Sequence, residues 1–329
     1  MTVLRDVHDV LLLDLDGTVY AGKDPIPGAV EALSGGSEKQ YFVTNNASRA
    51  PEDVAEHLRS LGFDTSAEFV VTSSEAGARV LAGKLDPGSR VLVIGTDALA
   101  NEITKVGLVP VRSADDDPVA VVQGHSVDTG WKMLAEAVLA IRAGALWVAT
   151  NIDATLPTER GLVLGNGSMV AAVRNATDIE PIVAGKPAAP IMHDAIERSG
   201  ARSALVVGDR LDTDIAGANE IDLPSLLVLT GVSTAAELLR APRHLRPTHI
   251  GPDLGVLNSD ELASSVGSKT GWTVDIENEV LSVRYSGDGA PDAFEGALAT
   301  LHVAWSGSAF SDVRFEGDRL GDLRSLLGC

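Results

Sequence analysis

The sequence contains little that would cross-link it. Its 329 residues include one cysteine, Cys329, so no intramolecular disulfide and no thiolate metal cluster can form, which is typical of a reducing compartment. No apolar run reaches the ~18 residues that a membrane helix needs, and no basic segment precedes the short apolar run Val10–Leu13. We therefore expect a cytoplasmic protein without a membrane segment or a signal peptide.

Positive charge is also scarce. Lys and Arg number 26 against 46 Asp and Glu, which gives a formal net charge of −20. A chain this acidic repels duplex phosphate and anionic lipid, so we expect neither nucleic acid nor membrane among its partners. Apolar residues make up 45% and charged residues 22%, near the globular average, which excludes disorder. The length predicts about two domains with room for a small appendage.

The chain repeatedly places a short apolar run, a turn and a helical pattern in succession. Runs apolar at nearly every position are typical of strands covered on both faces, and their alternation with helices predicts an α/β fold with a parallel sheet. In such sheets chemistry takes place at the carboxyl ends of the strands. The runs are Val10–Asp14, Gln40–Thr44, Val91–Gly95, Val119–Val122, Leu146–Ala149, Ala204–Gly208 and Ser225–Leu229, and the helical patterns are Pro51–Leu61, Ser73–Gly83, Gly130–Arg142, Pro187–Ser199 and Thr213–Glu220.

The pattern changes near Ser264. The segment Ser264–Lys269 is polar and rich in Gly and Ser, which is typical of a linker. Beyond it, Trp272–Ile276 and Val280–Arg284 alternate as half-buried strands do, and Pro291–Ala304 is helical in pattern. These elements predict a small α+β appendage that is too short to be stable alone and therefore packs on the rest of the chain.

Two carboxylates, Asp14 and Asp16, follow the first apolar run. The two-residue period of a strand places them on the same side, where their repulsion favours a bound cation or a shared proton. A carboxylate can also attack phosphorus while its partner transfers a proton. One alternative is a capped turn, since Asp and Gly favour strand exits. A calcium loop is excluded because Gly17 stands fourth rather than sixth.

Three further sites follow later strands or open later helices. Val43-Thr-Asn-Asn46 closes the second run with a hydroxyl and two amides, which is typical either of an anion site or of a helix cap. Lys186 precedes a helical start at Pro187; a solvated surface lysine is the alternative, and a P-loop is excluded because its first glycine and its final hydroxyl are missing. Asp209 ends a strand, whereas Asp214 lies in the first turn of the next helix and could also act as a cap.

Together these residues supply a nucleophile, a hydroxyl, a cation and a metal-binding acid. Each stands at the carboxyl end of a strand or at the start of the following helix. Phosphoryl transfer requires this set, because its oxygens must be neutralised, the group must be positioned and a nucleophile must attack in line.

The order of these motifs resembles a known family. The four motifs of haloacid dehalogenase (HAD) superfamily phosphatases are similar, in order, to Asp14-Leu-Asp-Gly-Thr-Val-Tyr20, Val43-Thr-Asn-Asn-Ala-Ser-Arg49, Gly185-Lys-Pro187 and Gly208-Asp-Arg-Leu-Asp-Thr-Asp214. The NagD-like branch, which includes p-nitrophenylphosphatases, pyridoxal-phosphate phosphatases and glycerol-phosphate phosphatases, is resembled further by Val71-Thr-Ser-Ser74 and Leu229-Thr-Gly-Val-Ser233. The resemblance covers residues 9–260.

The resemblance implies a role for each matched residue. Asp14 would be the nucleophile that forms an aspartyl-phosphate, and Asp16 would protonate the leaving alcohol and then activate water. Thr44, with Asn45 and Asn46, would bind the phosphoryl oxygens, and Lys186 would neutralise their charge. The implied cofactor is Mg²⁺, and its implied ligands are Asp14, the backbone carbonyl of Asp16, and Asp209, with Asp214 supporting them. Asp212 lies between the matched positions and is interpreted as a surface acid.

The family fold implies a Rossmann-like core with an inserted α/β cap. We place the core at residues 1–79 and 185–263, the cap at 80–184 and the appendage at 264–329. Within the cap, Asn151, Asp153 and Arg160 are candidates for contact with substrate, although a loop-structuring role is an alternative; Ile152 replaces a proline of the family motif. Gly165-Asn-Gly167 lacks the full dinucleotide fingerprint and predicts a tight turn.

These implications define the expected function. We expect a magnesium-dependent phosphomonoesterase acting on a small metabolite, with glycerol 3-phosphate as the first candidate, as in actinobacterial glycerol 3-phosphate phosphatases. Sugar phosphates, phosphoglycolate and pyridoxal phosphate are alternative substrates. A mutase and a non-catalytic phospho-ligand binder are alternative activities. The appendage resembles a truncated acetyltransferase without an acyl-CoA pyrophosphate loop, so we expect it to serve packing or a homo-oligomer contact, which the cap could also form.

Overall fold

A computed structural model describes residues 2–158, 160–307 and 309–329. Its strands are β1 Val10–Leu13, β2 Tyr20–Ala21, β3 Asp24–Pro25, β4 Lys39–Thr44, β5 Val70–Thr72, β6 Arg90–Ile94, β7 Val109–Val111, β8 Ala120–Gln123, β9 Leu146–Ala149, β10 Thr155–Thr158, β11 Gly161–Leu164, β12 Ile182–Val183, β13 Ala204–Gly208, β14 Ser225–Val228, β15 His249–Gly251, β16 Trp272–Glu277, β17 Val280–Tyr285 and β18 Asp312–Glu316.

The helices lie between these strands, as the alternating pattern predicts. They are α1 Ala29–Leu33, α2 Pro51–Ser60, α3 Ser73–Ala82, α4 Asp97–Lys105, α5 Trp131–Arg142, α6 Asn166–Thr177, α7 Ala189–Ser199, α8 Ala216–Glu220, α9 Ala235–Leu238, α10 Glu261–Ser264, α11 Ala293–Ala304 and α12 Gly321–Leu327. A π-helical turn, Leu211–Ile215, leads into α8. Among the described residues, no helix is long and apolar enough to cross a membrane.

The chain divides into two compact units. Unit 1 comprises Met1–Ala21, Pro25–Lys39 and Arg202–Cys329, and unit 2 comprises Gly22–Asp24 and Gln40–Ala201. The boundaries of a core, a cap and an appendage at residues 80, 185 and 264 stay predictions.

Unit 1 contains four parallel strands in the order β15-β14-β13-β1. All four residues of β1 are buried, as expected for a strand covered on both faces. The backbone N–H of Asp14 donates to the carbonyl of Val207 at 2.8 Å, so hydrogen bonding with β13 continues one residue past the end of β1. The predicted α/β class with a parallel sheet is confirmed, and the chain leaves β1 and β13 at the same edge.

The appendage is part of unit 1 and packs against the residues of that unit that precede it in the chain. Strand β17 pairs antiparallel with β16 and parallel with β18. One apolar cluster joins appendage residues such as Leu298 and Leu323 to Leu211, Ile215 and Leu238 of the preceding segment. The prediction that the appendage packs on the rest of the chain is confirmed. The first residue of the predicted linker, Ser264, is fully buried and ends helix α10, so the exposed linker does not begin there.

Unit 2 contains a five-stranded parallel sheet in the order β12-β9-β8-β6-β7 and the parallel pair β4-β5. Helices α5 and α6 cover one face of the larger sheet, where Ala137 and Val170 pack with Val121 and Trp147. In the register of β8 and β9, Gln123 lies beside Ala149. The loops that follow these two strands therefore start at the same edge.

Candidate active site

Three carboxylates of unit 1 form a compact group, which we call the carboxylate cluster: Asp14, Asp209 and Asp214. One side-chain oxygen of each lies within 4.8 Å of the others. Asp209 and Asp214 are buried and Asp14 is half-buried. The structure therefore brings together three of the four residues that the sequence predicts to hold a metal.

The topology explains how distant residues meet. Asp14 follows β1 and Asp209 follows β13, and these parallel neighbours end at the same edge. Asp214 returns to this edge through the π-helical turn Leu211–Ile215, where the backbone N–H of Arg210 donates to its Oδ2 at 3.1 Å. Gly208 is needed at the end of β13, because a Cβ there would overlap the Asp214 carboxylate.

Asp209 is held from several sides. Its Oδ2 accepts a hydrogen bond of 2.7 Å from the backbone N–H of Val232, and its Oδ1 lies 3.4 Å from the Thr18 hydroxyl, which donates to it. A Cβ at Gly231 would overlap the same Oδ2, and one at Gly17 would stand 2.5 Å from it. Since Gly17 also has a φ of +87°, both its conformation and its surroundings require glycine.

The carboxylate cluster fits a divalent metal. Mg²⁺ and Ca²⁺ prefer oxygen ligands, and carboxylates are their usual protein donors. Without a cation, three carboxylates this close and this buried repel one another and lose hydration, which is costly. The three carboxylates therefore provide the oxygen ligands that Mg²⁺ prefers.

Asp16 stands apart from the carboxylate cluster. Its side chain is exposed, and its Oδ2 accepts a hydrogen bond of 3.4 Å from the hydroxyl of Tyr20. An exposed carboxylate two residues from Asp14 can exchange protons with solvent, which suits a proton-transfer role. That role and the metal contact of its backbone carbonyl stay predictions.

Asp212 lies outside the site, as the sequence predicts. Its side chain is 65% exposed and forms an ion pair with Arg210, with an N–O distance of 2.8 Å. The hydrogen bond from Arg210 holds the pKa of the Asp212 carboxyl below its usual range. The interpretation as a surface acid is confirmed.

A second group of polar residues lies in unit 2, and we call it the amide cluster: Asn45, Lys186, Asn151 and Asp153. The Asn45 amide oxygen accepts from the Lys186 backbone N–H at 2.8 Å, and its Nδ2 donates to the Lys186 carbonyl at 3.0 Å and to Asp153 Oδ2 at 3.1 Å. The Asn45 carbonyl accepts from the side chain of Asn151 at 2.7 Å. Asn45 thereby joins the segments of two predicted motifs.

Lys186 and Thr44 are both buried in unit 2, at 3% and 4% exposure. Lys186 Nζ donates to the carbonyl of Val43 at 3.0 Å, so the ammonium lies at the end of β4. The hydroxyl of Thr44 accepts from the Asn46 N–H at 3.1 Å. The alternative of a solvated surface lysine is wrong for Lys186, because the residue is buried. Its ammonium has the specific partner that such burial requires.

The remaining predicted residues are placed differently. Asn46 Oδ1 accepts from the backbone N–H of Ser48 at 2.8 Å, which makes a local turn. Arg160 is exposed between β10 and β11, with its backbone N–H donating to the Thr158 hydroxyl. Asn151 and Asp153 form hydrogen bonds with Asn45 and with each other, and these bonds organise the loop.

The tight turn predicted at Gly165–Gly167 is wrong. Helix α6 begins at Asn166 with Gly165 as its N-cap residue. A Cβ at Gly167 would overlap the carbonyl oxygen of Ile152. The two glycines thus permit close packing of a helix start on the loop after β9, an approach that local sequence does not reveal.

Some contributing residues were not predicted from their chemistry. Ser73 donates its hydroxyl to the Asn45 carbonyl at 2.6 Å, and Ser233 donates its backbone N–H to the Asp209 carbonyl at 3.1 Å. Both lie in segments that carry the resemblance to the NagD-like branch. That resemblance was the only signal available, because contacts across such separations leave no local pattern.

The chain is similar to proteins whose family is known. A family model described as haloacid dehalogenase-like hydrolase matches residues 11–109, and a second, described as HAD-hydrolase-like, matches residues 183–257. The D-glycerol 3-phosphate phosphatase of Mycobacterium tuberculosis is 56% identical over 288 residues, which are 88% of this chain and 82% of that protein. The chain belongs to the haloacid dehalogenase-like hydrolases.

Further relatives of this hydrolase have related names. A crystal structure of the M. tuberculosis glycerol phosphate phosphatase in complex with magnesium has a TM-score of 0.95 and 51% identity, covering 99% of both chains. The p-nitrophenyl phosphatase from Archaeoglobus fulgidus has a TM-score of 0.70 and 31% identity, covering 76% of this chain and 98% of that one. The acid sugar phosphatase of Staphylococcus aureus is 36% identical over 252 residues, which are 75% of this hydrolase and 95% of that protein.

Proposed function

We propose that the chain is a magnesium-dependent phosphatase that hydrolyses glycerol 3-phosphate to glycerol and inorganic phosphate. The observation that carries the proposal is the carboxylate cluster, which places the predicted nucleophile Asp14 beside two buried acids suited to a divalent metal. The similarity to a magnesium-bound glycerol phosphate phosphatase supports both the cofactor and the substrate.

Hydrolysis takes place in two displacements at phosphorus. A carboxylate oxygen of Asp14 attacks the phosphoryl group, the bond from phosphorus to the glycerol oxygen breaks, and the Asp16 carboxyl donates its proton to that oxygen. Asp16, now a carboxylate, takes a proton from water, whose oxygen attacks the aspartyl-phosphate. The phosphorus–Asp14 bond breaks, inorganic phosphate is released, and the Asp14 carboxylate and the protonated Asp16 carboxyl are regenerated.

The other residues serve the charge of the transferring group. Lys186 neutralises phosphoryl oxygens, and Thr44 with the backbone of the Asn45–Asn46 segment donates hydrogen bonds to them. Asp14, Asp209 and the carbonyl of Asp16 would hold Mg²⁺, with Asp214 supporting them, and the bound ion would offset the negative charge of the phosphate. The hydrogen bonds between the Asn45 side chain and the Lys186 backbone support this role.

Residues 80–184 select the substrate. Arg160 offers an exposed guanidinium on the β10–β11 hairpin, and Asn151 and Asp153 shape the loop before it. The chain acts in the cytoplasm on a small phosphate ester, without a nucleic acid or membrane partner. Its self-association uses the cap or the appendage.

A panel of phosphate esters tests the proposal. We expect phosphate release from about twenty phosphometabolites to be led by glycerol 3-phosphate, to require Mg²⁺, to stop with EDTA and to fall at least about a thousandfold in Asp14→Asn, because the nucleophile is lost. The matched control is Asp212→Asn, the same substitution at a surface acid, which should retain wild-type activity.

Other outcomes separate the alternatives. Release led by a sugar phosphate would keep the mechanism and change the substrate, in line with the 36% identity to the acid sugar phosphatase. Isotope exchange between two forms of the substrate without hydrolysis would indicate a mutase. Equal inactivity of the wild type and Asp14→Asn on every ester would contradict the phosphatase and leave a phospho-ligand binder.

A further inference from the structure

A four-residue loop, Thr230–Ser233, surrounds Asp209, and we call it the clasp loop. Besides the N–H of Val232 on Oδ2, the N–H of Ser233 donates to the Asp209 carbonyl at 3.1 Å. The Ser233 hydroxyl accepts from the Leu211 N–H at 3.0 Å. The hydroxyl of Thr230 donates to the carbonyl of Gly17 at 2.7 Å. Every residue of the loop therefore touches a segment that carries a predicted metal ligand, since Gly231 packs on the carboxylate itself.

The clasp loop runs directly into helix α9, Ala235–Leu238. A capping box between Thr234 and Glu237 fixes the start of this helix. A helix of four residues makes too few internal hydrogen bonds to hold its own position. Its position, and hence that of the clasp loop, must be determined by what packs against it.

The appendage is what packs against α9. Trp305 Nε1 donates to the carbonyl of Leu238 at 2.8 Å, and Gly328, the C-cap residue of α12, lies against Ala236. The guanidinium of Arg240, just past α9, donates to the carbonyls of Phe310 and Ser311 at 3.1 and 3.3 Å and lies 4.8 Å from the Phe310 ring centre. The far end of the helix is thus bonded to the appendage.

The packing continues from α9 to the acid-bearing turn. Leu238 and Leu239 share one apolar cluster with Leu298 and Leu327 of the appendage, and Leu211 and Ile215, which flank Asp214, belong to the same cluster. Two paths, one polar and one apolar, therefore lead from the appendage to Asp209 and Asp214.

We propose that the appendage positions the metal ligands: through α9 and the clasp loop it fixes the Asp209 carboxylate, and it thereby sets the magnesium affinity of the site. The inference rests on the proposed role of Asp209 as a metal ligand. Trp305 and Arg240 are positioning residues that act through the clasp loop. The segment that resembles an acetyltransferase acts in this way without chemistry of its own.

The test uses the full chain with Trp305→Phe, Arg240→Ala and their combination. Trp305→Phe removes the hydrogen bond to Leu238 but keeps an aromatic ring, and Arg240 is exposed, so both variants retain a buried core. The matched control is Arg284→Ala, which breaks an exposed ion pair with Glu316 inside the appendage sheet. Magnesium alone is titrated into metal-free protein by calorimetry, and the magnesium dependence of phosphate release is measured separately.

We expect the double variant to bind magnesium at least fivefold more weakly, with each single variant intermediate and Arg284→Ala equal to wild type. The KM for the phosphate ester at saturating magnesium should stay within twofold, since no contact with substrate is changed. Ser233→Ala, which removes a clasp-loop bond without touching the appendage, should weaken magnesium binding in the same way.

Two results would overturn the inference, and they differ. Wild-type magnesium affinity in the double variant would contradict the inference at any melting temperature. A lower melting temperature in that variant would then show that the appendage only stabilises the fold. Wild-type magnesium affinity in Asp209→Asn would show that the metal assignment itself is wrong, which would remove the basis of the inference along with that part of the proposed function.

Discussion

Gly231 illustrates how closely single residues constrain the carboxylate cluster. It packs on the Asp209 carboxylate, where a Cβ would overlap Oδ2. In Gly231→Ala we expect the carboxylate to be displaced and magnesium affinity to fall at least about tenfold, because an oxygen of the proposed ligand Asp209 must move. Calorimetric titration of magnesium checks this. Gly289→Ala, where a Cβ meets nothing within 4 Å, is the control, and equal affinity in both variants would contradict the prediction.

His249 gives the fold a dependence on pH. It is 4% exposed, its Nδ1 lies 3.0 Å from the Ser264 hydroxyl, and burial, with a smaller contribution from nearby His8, lowers its pKa from 6.5 to about 4. Between these values the unfolded chain binds a proton that the folded chain does not. Stability from this group is therefore complete above pH 6.5 and declines as the pH falls toward 4.

The corresponding experiment compares unfolding free energies of the wild type and His249→Gln. We expect the difference between them to change by about 3 kcal/mol between pH 7 and pH 4, with the wild type losing more on acidification. His302→Gln, at an exposed histidine of α11, serves as the control. Parallel pH profiles for the wild type and His249→Gln would rule out a buried neutral imidazole.

At the scale of elements, α6 depends on a glycine at its second position. A Cβ at Gly167 would overlap the Ile152 carbonyl, and backbone cannot rotate out of the way as a side chain can. We expect Gly167→Ala to lower the unfolding free energy by roughly 1–3 kcal/mol and to raise the KM for the substrate, since the loop with Asn151 and Asp153 must shift. Chemical denaturation and steady-state kinetics measure these effects.

The control for this variant is Gly83→Ala at the end of α3. A Cβ there meets carbonyl oxygens at 3.5 Å or more, which is ordinary contact. If both variants were equally stable and kinetically unchanged, the close approach of α6 to the loop would be incorrect.

Elements whose pattern is local were predicted from the sequence. Strands such as β1 and β13 lack polar residues because both of their faces are buried, and this pattern can be recognised in the amino-acid sequence. Helices α4 and α6 were not predicted, and for α6 the reason is that Gly-Asn-Gly favours a turn in isolation. The helix forms because its start packs on a distant carbonyl, so a long-range contact outweighs local preference.

The same distinction applies to the site. Asp14 and Asp209 could be predicted because each ends a recognisable strand, and parallel strands bring such ends together. The bond from Asn151 to Asn45 joins residues 106 positions apart, and no pattern near either one indicates it. The resemblance left contact with substrate and a loop-structuring role open for Asn151, and in the structure its side-chain amide donates to the Asn45 carbonyl.

At the scale of the whole molecule, the appendage and the segment around α9 share one apolar core. A chain that ends at Ala263 would expose Leu211, Ile215 and Leu238 to water, so we expect it to aggregate or to unfold without a cooperative transition. Analytical ultracentrifugation and calorimetry check this. A truncated chain with the melting temperature of the full protein would show that the shared core contributes nothing to stability.

The pairing of β1 with β13 has a consequence for the newborn chain. Val10 lies beside Ala204, so the first strand cannot find this partner until the ribosome has added almost two hundred further residues. At about 5–20 residues per second, that wait lasts on the order of 10–40 s. During that time Val10–Leu13 is an apolar strand without this neighbour, and Asp14 lacks its cluster partners Asp209 and Asp214. The edge of the sheet that carries the carboxylate cluster therefore forms late in translation.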